Sequence, residues 1–160
     1  MRRNHVAQKI TFAGLTAALY YVVTVFVAPI SYGQIQCRLS EVLLFLCLRN
    51  SFGVWGYTIG CMLANLSSPL GIIDVVLGGG CNLVCALVAR LTGRILPTLL
   101  IVPLLGGLAV GTELWLCYGL PLVESVLAVA LGQLAALSIG ALLYRAIGQR
   151  IQRYIDHFFM

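Results

Sequence analysis

Long apolar runs without charge constrain this chain more than any other feature. The first, residues 10–28, carries no charged side chain and is close to the length of about 20 residues that a helix needs to cross a bilayer. This run lacks the short apolar core and the cleavage site of a signal peptide, so we expect it to be retained as the first helix. With 61% hydrophobic and 9% charged residues, the sequence is not that of a soluble globular domain. We predict a single all-α integral membrane domain.

The apolar runs and the breaks between them predict six transmembrane helices in one bundle. Pro29 ends the first run, and residues 67–71 have the composition of a turn. The expected helices cover about 10–28, 39–49, 52–66, 72–90, 97–118 and 122–147, and a basic tail covers 148–160. The second run is short for a crossing at about 1.5 Å of rise per residue, which favours a partial helix packed inside the bundle.

The basic residues agree with six crossings. Such a chain places both termini and its second and fourth connections on one side of the membrane, and nine of the ten Lys and Arg residues then fall on that side, Arg38 being the exception. These nine are Arg2, Arg3, Lys9, Arg49, Arg90, Arg94, Arg145, Arg150 and Arg153. The positive-inside rule therefore predicts cytoplasmic termini. A rival count, with 39–65 as one crossing, would put Arg90 and Arg94 outside, and we reject it.

A polar stretch over residues 32–41 interrupts the apolar runs. A charge inside a membrane costs about 2.5–3.5 kcal/mol even on lenient scales, so Arg38 and Glu41 must pair, meet water or hold a ligand. The six-helix topology brings other polar residues to the same external level, namely Asn65, Asp74, Glu113 and Glu124. We interpret this cluster as a ligand site. For Glu124, which follows Pro121, a hydrated helix end explains the acid equally well.

Small residues form a second pattern, in the first apolar run. Ala13 with Ala17, and Gly14 with Ala18, are two pairs with small-x-x-x-small spacing, which lets another helix approach closely. The spacing does not decide between a partner protein and packing inside the bundle.

Several kinds of chemistry are not expected. The six cysteines lack metal-ligand spacing, the chain has no P-loop motif for a nucleotide triphosphate, and both histidines lie in the terminal segments. We therefore expect no metal, no cofactor and no enzymatic activity.

Three motifs resemble those of a known family. Residues 29–41 read PISYGQIQCRLSE, residues 60–65 and 68–74 read GCMLAN and SPLGIID, and residues 110–114 read VGTEL. They resemble the QueT family, the substrate-capturing S components of energy-coupling factor (ECF) vitamin transporters. The resemblance covers nearly the whole chain. It departs from the family at Cys37, where an aromatic residue is expected, and in a glycine-rich run at 78–82.

The resemblance implies a six-helix S component in a prokaryotic plasma membrane. It would capture a queuosine precursor from outside, either 7-aminomethyl-7-deazaguanine, 7-cyano-7-deazaguanine or queuine. Its partners would be a membrane T component and two cytosolic ATPases, with no nucleic acid involved. The T component would dock on the small-residue face of the first helix, which we assign to Ala13, Gly14, Ala17 and Ala18.

The expected site combines this resemblance with the chemistry of a 7-deazaguanine. The assigned substrate-binding residues are Tyr32, Gln36, Arg38, Glu41, Asn65, Asp74, Glu113 and Gln133. Glu113 or Glu41 would accept from the guanine edge, Asp74 would bind the amine, and Arg38 or Gln36 would donate to the carbonyl. Tyr32 and Trp115 would stack on the ring, although membrane anchoring explains Trp115 equally well.

The loop before Arg38 is expected to close over the ligand as a lid. The alternatives are an S component for another vitamin or purine, and a small membrane interaction or assembly protein in which Arg38 and Glu41 form a structural ion pair.

Overall fold

The computed structural model describes residues 5–31, 38–148 and 150, and all regular structure in these residues is helical. The elements are α1 (His5–Phe26), α2 (Ala28–Ser31), a 3-10 helix (Leu39–Leu48), α3 (Ser51–Asn65), α4 (Ile72–Thr92), α5 (Ile95–Tyr118), α6 (Leu122–Leu143) and a π-helical turn (Tyr144–Gly148). Helices α1, α4, α5 and α6 are long and apolar enough to cross a membrane. The all-α membrane fold is confirmed. That the chain crosses the membrane six times stays a prediction.

Local sequence signals set the ends of several helices. Asn50 caps α3, because its side-chain oxygen accepts a hydrogen bond from the backbone N–H of Phe52 at 2.9 Å. Gly93 and Gly119 end α4 and α5 with φ angles of +57° and +66°, in the left-handed region where glycine carries no steric cost. These ends keep the connections between the long helices short.

The 3-10 helix lies in the middle of the bundle and packs against α1, α3, α4 and α6. At about 2.0 Å of rise per residue it is too short to line the full height of the long helices. Its apolar side packs into the core through Leu44, Phe45 and Cys47, whose exposure is 0%, 1% and 0%. Its first turn carries the buried polar residues Ser40 and Glu41. This element therefore places a carboxylate inside the bundle.

Helices α1 and α3 approach each other closely along small residues. A Cβ atom added at Gly60 would lie 2.7 Å from the carbonyl oxygen of Ala17 and 2.9 Å from its Cα. Gly56 meets the backbone of Ala13 in the same way, one turn earlier. The pair of helices can reach this separation only because α3 has no side chain at these two positions.

The two ends of α3 differ in their charged neighbours. Near Ser51, Arg90 Nε lies 3.4 Å from Ser51 Oγ, and Lys9 Nζ lies 5.6 Å from the centre of the Phe52 ring. At the opposite end, Asn65 contacts Asp74, the acid that begins α4. Since α3 has 15 residues and rises about 1.5 Å per residue, the two ends are roughly 22 Å apart. The fold thus separates a basic end from the end that holds Asp74.

Candidate functional site

An ion pair between Arg38 and Asp74 links the start of the 3-10 helix to the first turn of α4. Nη2 of Arg38 lies 3.3 Å from Oδ2 and 3.4 Å from Oδ1 of Asp74, and the two side chains are 7% and 1% exposed. The second guanidinium nitrogen, Nη1, also lies 3.6 Å from Sγ of Cys61 in α3. A charge in an apolar bundle is tolerated when it is paired in this way. The structure thereby brings together two residues that the sequence assigned to one site.

Asn65 holds the start of α4 in place. Its Nδ2 donates to the backbone carbonyl of Asp74 at 2.7 Å, and the residue is fully buried. The close packing depends on Gly78, since a Cβ atom there would lie 2.6 Å from Nδ2 of Asn65 and 2.5 Å from Oδ1 of Asp74. The amide nitrogen is committed to a carbonyl, so Oδ1 of Asn65 faces away and has no hydrogen-bond partner among the described residues.

Glu41 accepts hydrogen bonds from four helices. Its Oε1 accepts from the Tyr20 hydroxyl at 2.9 Å and from Nδ2 of Asn82 at 3.4 Å. Its Oε2 accepts from Nε2 of Gln133 at 3.2 Å and from the Tyr57 hydroxyl. The donors belong to α1, α3, α4 and α6, and Glu41 itself is 2% exposed. A carboxylate in the 3-10 helix therefore connects four helices of the bundle.

A small cavity lies between Arg38 and this network. Its lining residues are Arg38, Glu41, Gly78, Cys81, Asn82, Gly106, Val110, Val129 and Gln133. Its volume is about 20 Å³, counted as the space that the centre of a water molecule can occupy, and this is room for one or two waters. A bicyclic ligand needs more space than this, so binding such a ligand requires the surrounding side chains or helices to move.

Glu113 points inward from α5. It is 2% exposed, and its Oε1 has no hydrogen-bond partner in the described part of the chain. Val110 and Gly106, which precede it by three and seven residues, both line the cavity and so share a face of α5 with it. Glu113 therefore lies about one turn beyond the cavity, as a buried carboxyl group with one acceptor that no described residue pairs.

Tyr20, Tyr57 and Asn82 belong to the site, although the sequence interpretation did not assign them to it. Periodicity could have found two of them. Tyr20 lies midway between Thr16 and Thr24, which gives α1 a buried polar stripe with exposures of 3%, 0% and 0% at every fourth residue. Asn82 stands eight residues after Asp74, on the same face of α4.

Other residues that the sequence suggested for the site lie outside the described part of the chain or are exposed. Tyr32 and Gln36, with the rest of the expected lid, lie outside the described residues. Glu124 is exposed at the start of α6, which agrees with a hydrated helix end. Trp115 is 46% exposed, as expected of a side chain that anchors the protein at the membrane interface.

The four small residues of α1 lie in two different environments. Ala17 is 7% exposed, and both Ala13 and Ala17 pack against the glycines of α3. Internal packing, which the spacing left open, is therefore what the structure shows for this pair. Gly14 and Ala18 are exposed, and a partner interface there stays a prediction.

The chain is similar to proteins of a known family. The family model of the QueT transporter matches residues 10–149 of the chain. A curated relative, the queuosine precursor transporter QueT of Lactococcus lactis subsp. cremoris (strain MG1363), is 38% identical over 86 residues, which are 52% of this chain and 50% of the relative. The match thus spans about half the length of that relative. No solved structure is significantly similar to the chain.

Proposed function

Because the chain belongs to the QueT transporter family, we propose that it is the substrate-binding component of an ECF-type importer and captures a 7-deazaguanine precursor of queuosine. The relative from Lactococcus lactis carries the name of a queuosine precursor transporter. The buried polar cluster supplies independent support, since its chemistry suits such a ligand.

The observation that carries the proposal is a set of buried acceptors without donors. Oε1 of Glu113, Oδ1 of Asn65 and Oε1 of Gln133 are buried and have no hydrogen-bond partner in the described part of the chain. Leaving a buried acceptor unpaired costs about 1–3 kcal/mol, so three such groups favour a ligand that brings donors. A 7-deazaguanine carries N–H donors on both rings and on its exocyclic amine.

Within this cluster, we assign Glu113 to the guanine edge. A carboxylate can accept from the ring N–H and the neighbouring exocyclic amine together. Arg38 and Asp74 would contribute the donor for the ring carbonyl and the acceptor for an aminomethyl group, respectively. Because these two side chains pair with each other at 3.3 Å, the ligand would compete with an existing ion pair for both.

Binding would require the site to open. The present cavity has room for one or two waters, whereas a 7-deazaguanine contains two fused rings. The lid expected from the polar sequence at residues 32–37, directly before Arg38, stays a prediction.

The proposed partners are a membrane T component and two cytosolic ATPases. The exposed face of α1 offers Gly14 and Ala18 for this contact. Beside it runs an apolar groove between α1 and the end of α6, floored by the 3-10 helix and lined by residues such as Leu15, Leu19 and Leu143. We propose cytoplasmic termini, since Lys9 and Arg90 lie at the end of the bundle opposite Asp74.

Equilibrium binding to the purified protein in lipid nanodiscs tests the proposal. The panel contains 7-aminomethyl-7-deazaguanine, 7-cyano-7-deazaguanine, queuine, guanine, thiamine and riboflavin. We expect at least one 7-deazaguanine to bind and thiamine and riboflavin not to. Binding of only a vitamin would favour an S component with another cargo. Binding of none would favour an interaction protein, whose polar groups pair internally as Arg38 and Asp74 do.

Two matched variants test the assigned carboxylate. Glu113→Gln removes the charge and one acceptor, and it should weaken the binding of the 7-deazaguanine by about tenfold or more, as expected for a hydrogen bond to a charged group. Glu124→Gln makes the same change at an exposed position and should leave affinity unchanged. Unchanged affinity in Glu113→Gln would remove Glu113 from the site.

A further inference from the structure

The acceptor capacity of Glu41 is already filled by the protein. An ionised carboxylate offers about four lone-pair positions. Two hydroxyl groups, of Tyr20 and Tyr57, and two amide nitrogens, of Asn82 and Gln133, donate to its two oxygens. Glu41 therefore has no acceptor left for a ligand, although it lines the cavity.

The contact with Glu41 fixes the orientation of the Gln133 amide. A carboxylate only accepts, so the nitrogen of Gln133 must face Glu41, at 3.2 Å, and Oε1 must face the other way. There Oε1 lies against Gly106 of α5, where a Cβ atom would come within 2.7 Å of the amide carbon of Gln133. Gly106 and Gln133 both line the cavity, and Oε1 has no hydrogen-bond partner in the described residues.

We propose that Glu41 is a positioning residue that presents the amide oxygen of Gln133 to the ligand, and that Gln133 selects ligands with an N–H donor at that point. This inference rests on the proposed function, because it supposes a nitrogen heterocycle in the cavity. An amide that could turn freely would offer either its oxygen or its NH₂ group and would not discriminate. One that is held by a carboxylate rejects a ligand without the matching donor, since the buried oxygen then stays unpaired.

The inference is tested by measuring how much affinity is lost when a single N–H donor is removed from the ligand. The probes are 7-deazaguanine, its analogue without the exocyclic amine, and the analogue methylated on the pyrrole nitrogen. Each deletion has a penalty, defined as the ratio of its Kd to that of 7-deazaguanine. In wild-type protein, we expect a penalty of about threefold to tenfold for the donor that meets Gln133.

Two variants remove the acceptor while leaving Glu41 in place. Gln133→Leu deletes the amide, and Gly106→Ala displaces it, because the added Cβ meets only the end of a flexible side chain. In each of these variants, one of the two Kd ratios should fall to about one, because the acceptor for that donor is lost. Gly80→Ala is the matched control, since a Cβ atom at Gly80 has nothing within 4 Å, and it should retain both penalties.

Glu41→Gln tests the positioning role itself. A carboxamide donates as well as accepts, so it no longer dictates which end of Gln133 faces the cavity. In Glu41→Gln, the Kd ratio that falls to about one should be the same ratio that falls to about one in Gln133→Leu. A purely structural role for Glu41 would weaken the binding of all three probes in parallel and keep the penalties, which would overturn the inference.

The remaining outcomes are also decisive. If wild-type protein binds no 7-deazaguanine, the proposed function fails and this inference fails with it. If wild-type protein binds but Gln133→Leu and Gly106→Ala keep both penalties, the inference alone fails.

If Glu41→Gln does not fold, the side-chain amide signal of Gln133 in the NMR spectrum of the wild-type protein tests the positioning role instead. A proton shifted downfield by the carboxylate supports the inference, and an unshifted one overturns it.

Discussion

Arg38 and Asp74 lie 36 residues apart in the chain and form an ion pair at 3.3 Å inside the bundle. The pair joins the segment before the 3-10 helix to the first turn of α4. Both side chains are buried, so each charge depends on the other for compensation.

The first prediction concerns the removal of one partner. Arg38→Met leaves the carboxylate of Asp74 buried without its guanidinium, and loss of one member of a buried pair costs about 3–5 kcal/mol in soluble proteins. We expect a clear fall in the melting temperature in detergent. The double variant Arg38→Met/Asp74→Asn should melt closer to wild type than the sum of the two single effects.

Arg94→Met is the control for this cycle, because Arg94 is exposed. It should leave the melting temperature within error of wild type. Additive effects of the two substitutions in the pair would show that the contact contributes no coupling energy.

The second prediction concerns the donors to Glu41. Tyr57→Phe removes one hydroxyl from the carboxylate and should destabilise the protein by about 1.5–3 kcal/mol, the range for a hydrogen bond to a charged group. Thermal or denaturant unfolding in detergent measures this change. Tyr118→Phe is the same substitution at a side chain that is 52% exposed, and it should have no effect. Equal stability of the two variants would contradict the role of Glu41 in joining the helices.

The sequence predicted much of this architecture because the bilayer restricts what an apolar run can do. A long uncharged run must satisfy its own backbone hydrogen bonds, and most of the run at residues 10–28 lies in α1 (His5–Phe26). The inward direction of Asp74 and Glu113 followed from the cost of exposing a carboxylate to lipid. Their burial in the structure, at 1% and 2% exposure, agrees with that argument.

The pairing within the site could not be predicted, because it depends on packing between distant segments. Sequence reasoning assigned Glu41 to the ligand, whereas its four donors come from residues up to 92 positions away. For the same reason, the sequence could not show whether the small residues of α1 pack inside the bundle or against a partner protein. Ala17 meets the protein's own α3 because Gly60 stands opposite, a register that only the three-dimensional fold determines.

The third prediction tests the close contact between α1 and α3. Gly60→Ala would bring a Cβ atom to 2.7 Å from the carbonyl oxygen of Ala17, and a backbone atom cannot move aside cheaply. We expect a loss of about 1–3 kcal/mol in unfolding free energy, typical of overpacking. Gly80→Ala has open space and gains helix propensity, so it should be neutral or stabilising. Equal shifts in the melting temperature of both variants would contradict the packing described for this pair of helices.

The last prediction separates six crossings from five by chemical accessibility. With a cytoplasmic N-terminus, six crossings place Cys117 and the turn at Ser67 outside and Arg94 inside. Fusing residues 39–65 into one crossing reverses all three and puts the C-terminus outside. Cys117, Ser67 and Arg94 are all exposed. In a background without the other five cysteines, a membrane-impermeant maleimide should label Cys117 on intact cells. With Cys117 also replaced, Ser67→Cys should react in the same way, whereas Arg94→Cys should react only after lysis. Labelling of Arg94→Cys on intact cells, with Ser67→Cys protected, would contradict six crossings with cytoplasmic termini. It would place Asp74, which follows that turn at the start of α4, on the cytoplasmic side, where it could not bind a ligand captured from outside.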